Sequence, residues 1–256
     1  GSVEWIATDE SWKGDISPIL TAEIYDGETY DARRVQHGWD TASFSDAKWS
    51  SVSVVSPLEP RIVPQYFQPI REEKVMTAKT IASPSPGVYI FDFGQNMSAG
   101  PRLTVTGHRG DDIKLRVAEV LNPDGSMYVE NLRTAKATDH YILVGSSSAE
   151  TYQPQFTFHG FRYIEVSGLR AKPGIDLVKA VVLHTDAPFT TRLATGNRMI
   201  NQLWSNILWG QRSNFLGVPT DCPQRDERLG WTADAQVFWR TAAYNMDLSA
   251  FTQKFA

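Results

Sequence analysis

Ile113-Lys114-Leu115-Arg116-Val117 alternates apolar and basic side chains with a period of two, the pattern of a strand that buries one face and wets the other. Val88-Tyr89-Ile90-Phe91-Asp92-Phe93 and Leu103-Thr104-Val105-Thr106 precede it. Tyr141-Ile142-Leu143-Val144, Phe156-Thr157-Phe158, Tyr163-Ile164-Glu165-Val166 and Leu177-Val178-Lys179-Ala180-Val181-Val182-Leu183 follow. Turn-forming stretches separate these runs, among them Gly107-His108-Arg109-Gly110-Asp111-Asp112 and Asn122-Pro123-Asp124-Gly125. Short strands at regular spacing predict an antiparallel β-sandwich over residues 73–188, a span long enough to bury its own core.

The flanks differ. In residues 3–72, Ile19 to Tyr25 and Glu28 to Ala32 surround Asp26-Gly27, a hairpin signal because both turn positions favour positive φ. The first of these runs also fits a single helical turn. Pro57, Pro60, Pro64 and Pro69 then predict an extended connector with few backbone donors. From Asn197 the period changes: Ile200, Leu203, Trp204, Ile207 and Leu208 step by threes and fours, the stripe of an amphipathic helix reaching about Phe215. Gly217 and Pro219 stop it. A second helix is predicted from about Thr232, the candidate N-cap, with Ala235, Phe238, Trp239, Ala242 and Ala243 as its apolar stripe. The chain is therefore read as mainly β with C-terminal helices, in zones 3–72, 73–188 and 189–256.

Composition narrows the function classes. Twenty-five basic against twenty-nine acidic residues leave a net charge of −4, spread along the 256 residues. No basic block offers a surface for nucleic acid or an anionic membrane. No apolar run approaches the roughly 18 residues of a membrane span. Gly1-Ser2 reads as an expression remnant, which leaves the compartment unread. The one cysteine, Cys222, excludes a disulfide framework and a multi-cysteine zinc site. Eight Trp suit stacking on sugars and suit well-packed β-domains equally.

Chemistry concentrates between the two helices, in Pro219-Thr220-Asp221-Cys222-Pro223-Gln224-Arg225-Asp226-Glu227-Arg228-Leu229-Gly230-Trp231-Thr232-Ala233-Asp234. Four carboxylates, two arginines and one Trp lie within this loop, whose prolines discourage a continuous helix. A solvated, ion-paired connection is one reading. The other is a sugar site, with an indole face for stacking and charged acceptors for hydroxyl hydrogens.

Asp221-Cys222-Pro223-Gln224-Arg225-Asp226-Glu227-Arg228-Leu229-Gly230-Trp231-Thr232 resembles the signature of bacterial α-L-rhamnosidases of glycoside hydrolase family 78. The likeness extends upstream through Phe91-Asp92-Phe93-Gly94-Gln95-Asn96, Ala118-Glu119-Val120-Leu121, Asp124-Gly125-Ser126-Met127-Tyr128 and Asn131-Leu132-Arg133. Phe156-Thr157-Phe158-His159-Gly160-Phe161-Arg162-Tyr163 and the stretch from Gly38-Trp39 to Trp49 belong to it as well. The resemblance implies that residues 3–72 close an accessory β-sandwich and that 189–256 open a catalytic (α/α)6 barrel. It implies inverting cleavage of terminal α-L-rhamnose, with a rhamnose-containing glycoside as partner and no cofactor or metal. Glu227 would be the general acid; Asp221, Arg225 and Asp234 would bind rhamnose hydroxyls, and Trp231 would form the apolar wall.

A general acid needs a proton near neutral pH, which an apolar wall or a second carboxylate such as Asp226 favours and Arg225 and Arg228 oppose. Asp226 could equally point outward as a structural ion-pair partner. Ala233 stands where the family usually has Gly. Inversion also needs a second carboxylate some 6.5–9.5 Å from the acid. The resemblance puts that group later in the barrel, so the expectation is a fragment with little activity alone and with uncovered barrel helices prone to self-association.

Other residues read as structural. Cys222 fits a buried small side chain better than a nucleophile. Asp221, Asp226, Glu227 and Asp234 lack calcium-loop spacing. His159 fits a structural role, and Asn96-Met97-Ser98 a backbone-shaping stretch rather than a used sequon. The competing functional class is a non-catalytic β-sandwich module that binds carbohydrate or serves as a scaffold, although no line of exposed aromatics marks the strands.

Overall fold

The computed structural model describes residues 2–55 and 62–256; of the proline connector, Pro57 and Pro60 lie outside the described residues. Ten strands share one curled sheet: β1 (Ile19–Glu23), β2 (Gly27–Asp31), β3 (Ile70–Thr77), β4 (Thr80–Ser85), β5 (Val88–Val105), β6 (Asp112–Ala118), β7 (Thr138–Ile142), β8 (Glu150–Tyr152), β9 (His159–Ser167) and β10 (Val178–Thr185). The order across it is β1-β2-β7-β6-β9-β5-β10-β3, with β4 and β8 also pairing with β5. Its ladders are antiparallel apart from β2 with β7, which run parallel. The sheet thus draws strands from both sides of residue 72.

The alternating stretch behaves as its pattern demands. Ile113, Leu115 and Val117 are at most 2% exposed and join Phe91, Phe93, Leu103, Phe161 and Ile164 in the main core, while Lys114 and Arg116 stand on the outer face. The runs Val88–Phe93 and Leu103–Thr106, read as two strands, are instead parts of the 18-residue β5. Gly94, at φ +68°, bends this strand without breaking it. Asp92 fixes the bend: its Oδ1 accepts from Gly94 N at 2.6 Å and Arg162 Nε at 2.8 Å, and its Oδ2 from Arg162 Nη2 at 2.8 Å. Before the bend β5 pairs with β4, beyond it with β10 and β8, and the β9 ladder shifts register between Phe161 and Tyr163 to follow.

Three other expectations change. The hairpin turn is Ile24-Tyr25-Asp26, and Gly27 already opens β2 at φ +110°. A Cβ there would lie 2.2 Å from the Thr138 carbonyl oxygen, so the residue must be glycine. Phe156-Thr157-Phe158 is not a strand, because the Phe158 carbonyl turns out of the ladder to accept from Arg228. The strands β3 and β4 escaped the periodicity reading. In β3 only Met76 is even half-buried, and an edge strand with no core face need not alternate.

His159 is structural. Its Nε2 lies 3.1 Å from Asp139 Oδ2, Asp139 Oδ1 accepts from Glu28 N at 2.8 Å, and Tyr152 OH donates to Glu28 Oε1 at 3.1 Å. This buried network ties β9, β7, β2 and β8 together, and burial pushes the Glu28 carboxyl above the ordinary glutamate range.

Helix α1 (Arg198–Asn214) begins at Asn197, whose side chain accepts from Met199 N at 2.9 Å and Ile200 N at 3.4 Å. In its C-terminal half Leu208, Gln211 and Ser213 are buried: Trp209 packs on the main core and Ser98 Oγ donates to Ser213 O, while Gln211 Nε2 donates to Ala242 O at 3.2 Å and its Oε1 accepts from Asn245 Nδ2 at 2.9 Å. Its N-terminal half is open: Met199 is 81% and Leu203 59% exposed. Helices α2 (Thr232–Asn245) and α3 (Ser249–Phe255) close a second core around Phe215, Ala242, Met246 and Phe251, in which Phe215 and Phe251 stack at 4.8 Å. Ala243, expected on the α2 stripe, is exposed. The N-cap of α2 is Trp231 rather than Thr232, and it makes no side-chain capping bond because an indole N–H is only a donor.

The Arg162 fork holds the Asp92 carboxyl below its ordinary 3.8, so the pair contributes stability above that pH and loses it as pH falls through the lowered value. Asp92→Asn should cost about 1 kcal/mol at neutral pH, a modest figure because Arg162 is partly exposed. Thermal unfolding of both proteins should show that gap closing as pH falls below the ordinary 3.8.

Candidate active site

The loop between α1 and α2 is a closed lobe. Phe215–Leu216 pairs with Val218–Pro219, and Thr220 bridges Gly230 across the neck. Asp221 completes the neck: its N donates to Leu229 O at 3.1 Å and its Oδ1 accepts from Leu229 N at 3.0 Å. Pro223 then docks on Gly160 of β9, where a Cβ would meet the proline ring at 2.7 Å.

Arg228 fills the lobe. Its Nη1 donates to Ile24 O and, at 2.6 Å, to Phe158 O; its Nε donates to Arg225 O at 3.2 Å and its Nη2 to Gln224 O at 3.3 Å. The guanidinium also lies over the rings of Phe158 at 4.9 Å and Tyr25 at 5.5 Å. Burial pulls Arg228 down to about 10, which still leaves it charged at neutral pH. It is therefore spent on the backbone and not on Glu227, contrary to the expectation that it would oppose an acid there.

Four of the five expected site residues form one chain of contacts. Arg225 Nη2 donates to Asp221 Oδ2 at 3.1 Å and Arg225 Nε to Glu227 Oε2 at 3.1 Å. Trp231 Nε1 donates to Glu227 Oε1 at 3.1 Å, leaving the indole 47% exposed. The fifth, Asp234, stands exposed on the first turn of α2 and joins Asp221 in lining a cleft of about 630 Å³ between α1 and α2. Asp226 faces away from Glu227: its Oδ2 accepts from Thr134 N at 3.2 Å and from Thr134 Oγ1, contacts that hold its carboxyl below the ordinary range. Asp226 is thus a structural partner of Thr134 rather than of a cation, and its Oδ1 is buried.

The sheet supplies residues that sequence reasoning missed. Arg133, at φ +57°, donates Nη1 to Glu227 Oε2 at 2.9 Å, and Tyr25 OH donates to Glu227 O at 2.7 Å. Spacing carries no signal for partners so distant in the chain; the only pointer was Arg133 within the Asn131-Leu132-Arg133 stretch. Nearby, Asn96 Nδ2 donates to Glu119 Oε1 at 2.7 Å and Asn131 Nδ2 to Glu119 Oε2 at 3.1 Å, and burial pushes this carboxyl up.

Donor atoms of Asp221, Cys222 and Glu227 come within 4.8 Å of one another, yet they do not suit a cation. The Arg225 guanidinium bridges both carboxylates, putting a positive charge where a metal would need none. Burial pushes the Cys222 thiol up, which disfavours the thiolate that metal binding or nucleophilic attack requires.

Three family models match successive stretches. They are the α-L-rhamnosidase N-terminal domain over residues 1–74, the bacterial α-L-rhamnosidase concanavalin-like domain over 82–184 and the bacterial α-L-rhamnosidase 6 hairpin glycosidase domain over 188–256. An α-L-rhamnosidase of Streptomyces avermitilis is 48% identical over 256 residues and one of Formosa agariphila 43% over 257. The chain spans 25% and 27% of those proteins, about a quarter of their length. The solved structure of the Streptomyces avermitilis α-L-rhamnosidase complexed with L-rhamnose superposes with TM-score 0.96 at 49% identity, over 99% of this chain and 25% of that one. The α-L-rhamnosidase of Dictyoglumus thermophilum gives 0.96 at 40% identity, over 99% and 29%. From its first strands to its last helix, this chain belongs to the bacterial α-L-rhamnosidases, a family of glycoside hydrolases.

Proposed function

We propose that this chain carries the acid-donating part of an inverting α-L-rhamnosidase site. Glu227 protonates the departing glycosidic oxygen, Asp221, Arg225 and Asp234 bind rhamnose hydroxyls, and Trp231 walls the sugar. The observation that carries this reading is the convergence of Arg225, Arg133 and Trp231 on one half-buried carboxylate beside an open indole face. The rhamnose complex of a relative 49% identical over this region supports the choice of sugar.

An acid must carry a proton, so on this reading one N–H now on Glu227 is given up as the leaving oxygen arrives. Arg133 is best placed to yield, being 54% exposed at its side chain against 30% for Arg225. Asp221 and Asp226 are held by Arg225 with Leu229 and by Thr134, so neither suits the base, which must sit about 6.5–9.5 Å from the acid. We assign the base to sequence outside these 256 residues and expect little turnover from the chain alone.

The same reading keeps an accessory-sandwich end at 3–72, a sandwich at 73–188 and the opening of an (α/α)6 barrel at 189–256; the three matched domain models support it. Met199, Leu203 and Val237, exposed on α1 and α2, are then faces that later hairpins would cover.

In a polypeptide extended to the length of its relatives, Glu227→Gln should lower kcat by about a hundred- to ten-thousand-fold on rhamnosides with poor leaving groups. An activated aryl rhamnoside should lose far less, and unchanged turnover of the poor substrates would end the assignment. In this chain, L-rhamnose should quench Trp fluorescence, and Trp231→Ala should abolish the response. Quenching that survives the substitution favours the carbohydrate-binding sandwich module instead. Sedimentation velocity at rising concentration should show self-association, weakened by Leu203→Glu; a monomer at every concentration would contradict it.

A further inference from the structure

We propose that Glu119 is a positioning residue for the acid: it fixes the turn from which Arg133 reaches Glu227. The inference rests on Glu227 as that acid. Glu119 follows Ala118, the last residue of β6, and its carboxylate grips two other segments. Oε1 accepts at 2.7 Å from Nδ2 of Asn96, just past the Gly94 bend of β5, and Oε2 accepts from Asn131 Nδ2 at 3.1 Å. Asn131 is the middle residue of a single 3-10 turn, Glu130–Leu132, which hands the chain directly to Arg133 and Thr134. Arg133 Nη1 donates to Glu227 Oε2 at 2.9 Å, and Thr134 N donates to Asp226 Oδ2 at 3.2 Å. One carboxylate thus ties the sheet to the two residues that turn Glu227 and Asp226 apart.

Packing alone would not choose this tether. The turn is already closed by its backbone, Leu132 N donating to Val129 O at 3.1 Å and Arg133 N to Glu130 O at 3.3 Å, and Leu132 is buried in the main core. A turn held at one apolar point can still pivot about it, and the Glu119–Asn131 contact supplies a second point. Three unfavourable features meet there. Asn131 gives its N–H to Glu119 while its Oδ1 is buried without a partner among the described residues, and an unmet buried acceptor lowers stability. Arg133 holds φ +57°, a conformation that non-glycine residues rarely adopt. Burial pushes the Glu119 carboxyl above the ordinary glutamate range, against the nearby charge of Arg225.

The arrangement suits the exchange that proton donation requires. Glu119 grips the turn and leaves the guanidinium of Arg133 alone, so the exposed Arg133 side chain can swing off Glu227 Oε2 while its backbone stays in place. Without the tether the turn pivots and Arg133 meets Glu227 from a different point; a misplacement of about 1 Å near reacting groups can cost as much as a hundredfold in rate. The carboxylate of Glu119 also stands in the field of Arg225, the cation bonded to Glu227 Oε2, and offsets part of a charge that works against a proton on the acid.

The test compares kcat and KM on a rhamnoside with a poor leaving group and on an activated aryl rhamnoside, in a polypeptide extended to the length of its relatives. Glu119→Gln and Asn131→Ser should each lower kcat on the poor substrate about tenfold with KM unchanged, and lower it less than about twofold on the activated one. A variant that merely folds less well loses both activities alike, so the ratio of the two rates reads positioning and not folding. Losses of equal size on the two substrates, or no loss on the poor one, in either variant would overturn the role of Glu119. Glu227→Gln is measured beside them. If it too spares the poor substrate, the acid assignment itself has failed; if it alone shows the dependence on leaving group, only the positioning inference falls.

Discussion

The guanidinium of Arg228 joins three parts of the chain at one buried point. It reaches the β1–β2 turn at Ile24 O, the entry to β9 at Phe158 O and two carbonyls of its own loop. Burying a charge costs several kcal/mol unless its donors are satisfied, and the planar fork of Arg satisfies several carbonyls at once where an ammonium could not. Arg228 also adopts φ +50°, a conformation that costs roughly 1 kcal/mol or more for a non-glycine residue. The loop keeps that strain because the carbonyls converge on one point. Remove it, and the lobe carrying Asp221, Arg225 and Glu227 has lost the centre it is wrapped around.

Around that anchor, neighbouring carboxylates are sorted rather than clustered. Asp226 and Glu227 are adjacent in the chain, yet one faces Thr134 and the other Arg133, Arg225 and Trp231. Separating them removes the like-charge repulsion that two facing carboxylates would suffer. The residues that do the sorting, Arg133 and Thr134, belong to the segment entering β7. The sheet is therefore part of the site, setting which way a helical-domain loop presents its acid groups. The tie among Glu28, Asp139, Tyr152 and His159 keeps the strands beneath in register.

Local pattern made much of this legible. The alternation in Ile113 to Val117 specified a strand and its buried face, and the three-four stripe after Asn197 specified α1. Runs of carboxylates, arginines and one Trp between two helices marked the loop. These features depend on a few consecutive residues, whose side chains point in directions dictated by backbone geometry alone.

Other features required the closed fold. Nothing local shows that Val88 to Val105 stays one strand through Gly94, because the Asp92–Arg162 fork that holds the bend comes from β9. The β3 edge carries no pattern since no core face presses on it. Trp231, not Thr232, takes the cap position, and its indole bonds Glu227. The sequence by itself determined most of the buried strands, the first two helices and the loop that gathers the carboxylates, arginines and one Trp, since periodicity reports which face of an element is apolar. Only the tertiary structure decided that Arg133 and Tyr25 reach Glu227 while Arg228 turns away from it. Hydrogen-bond partners are chosen by distances that exist only after the sheet has curled and the loop has docked.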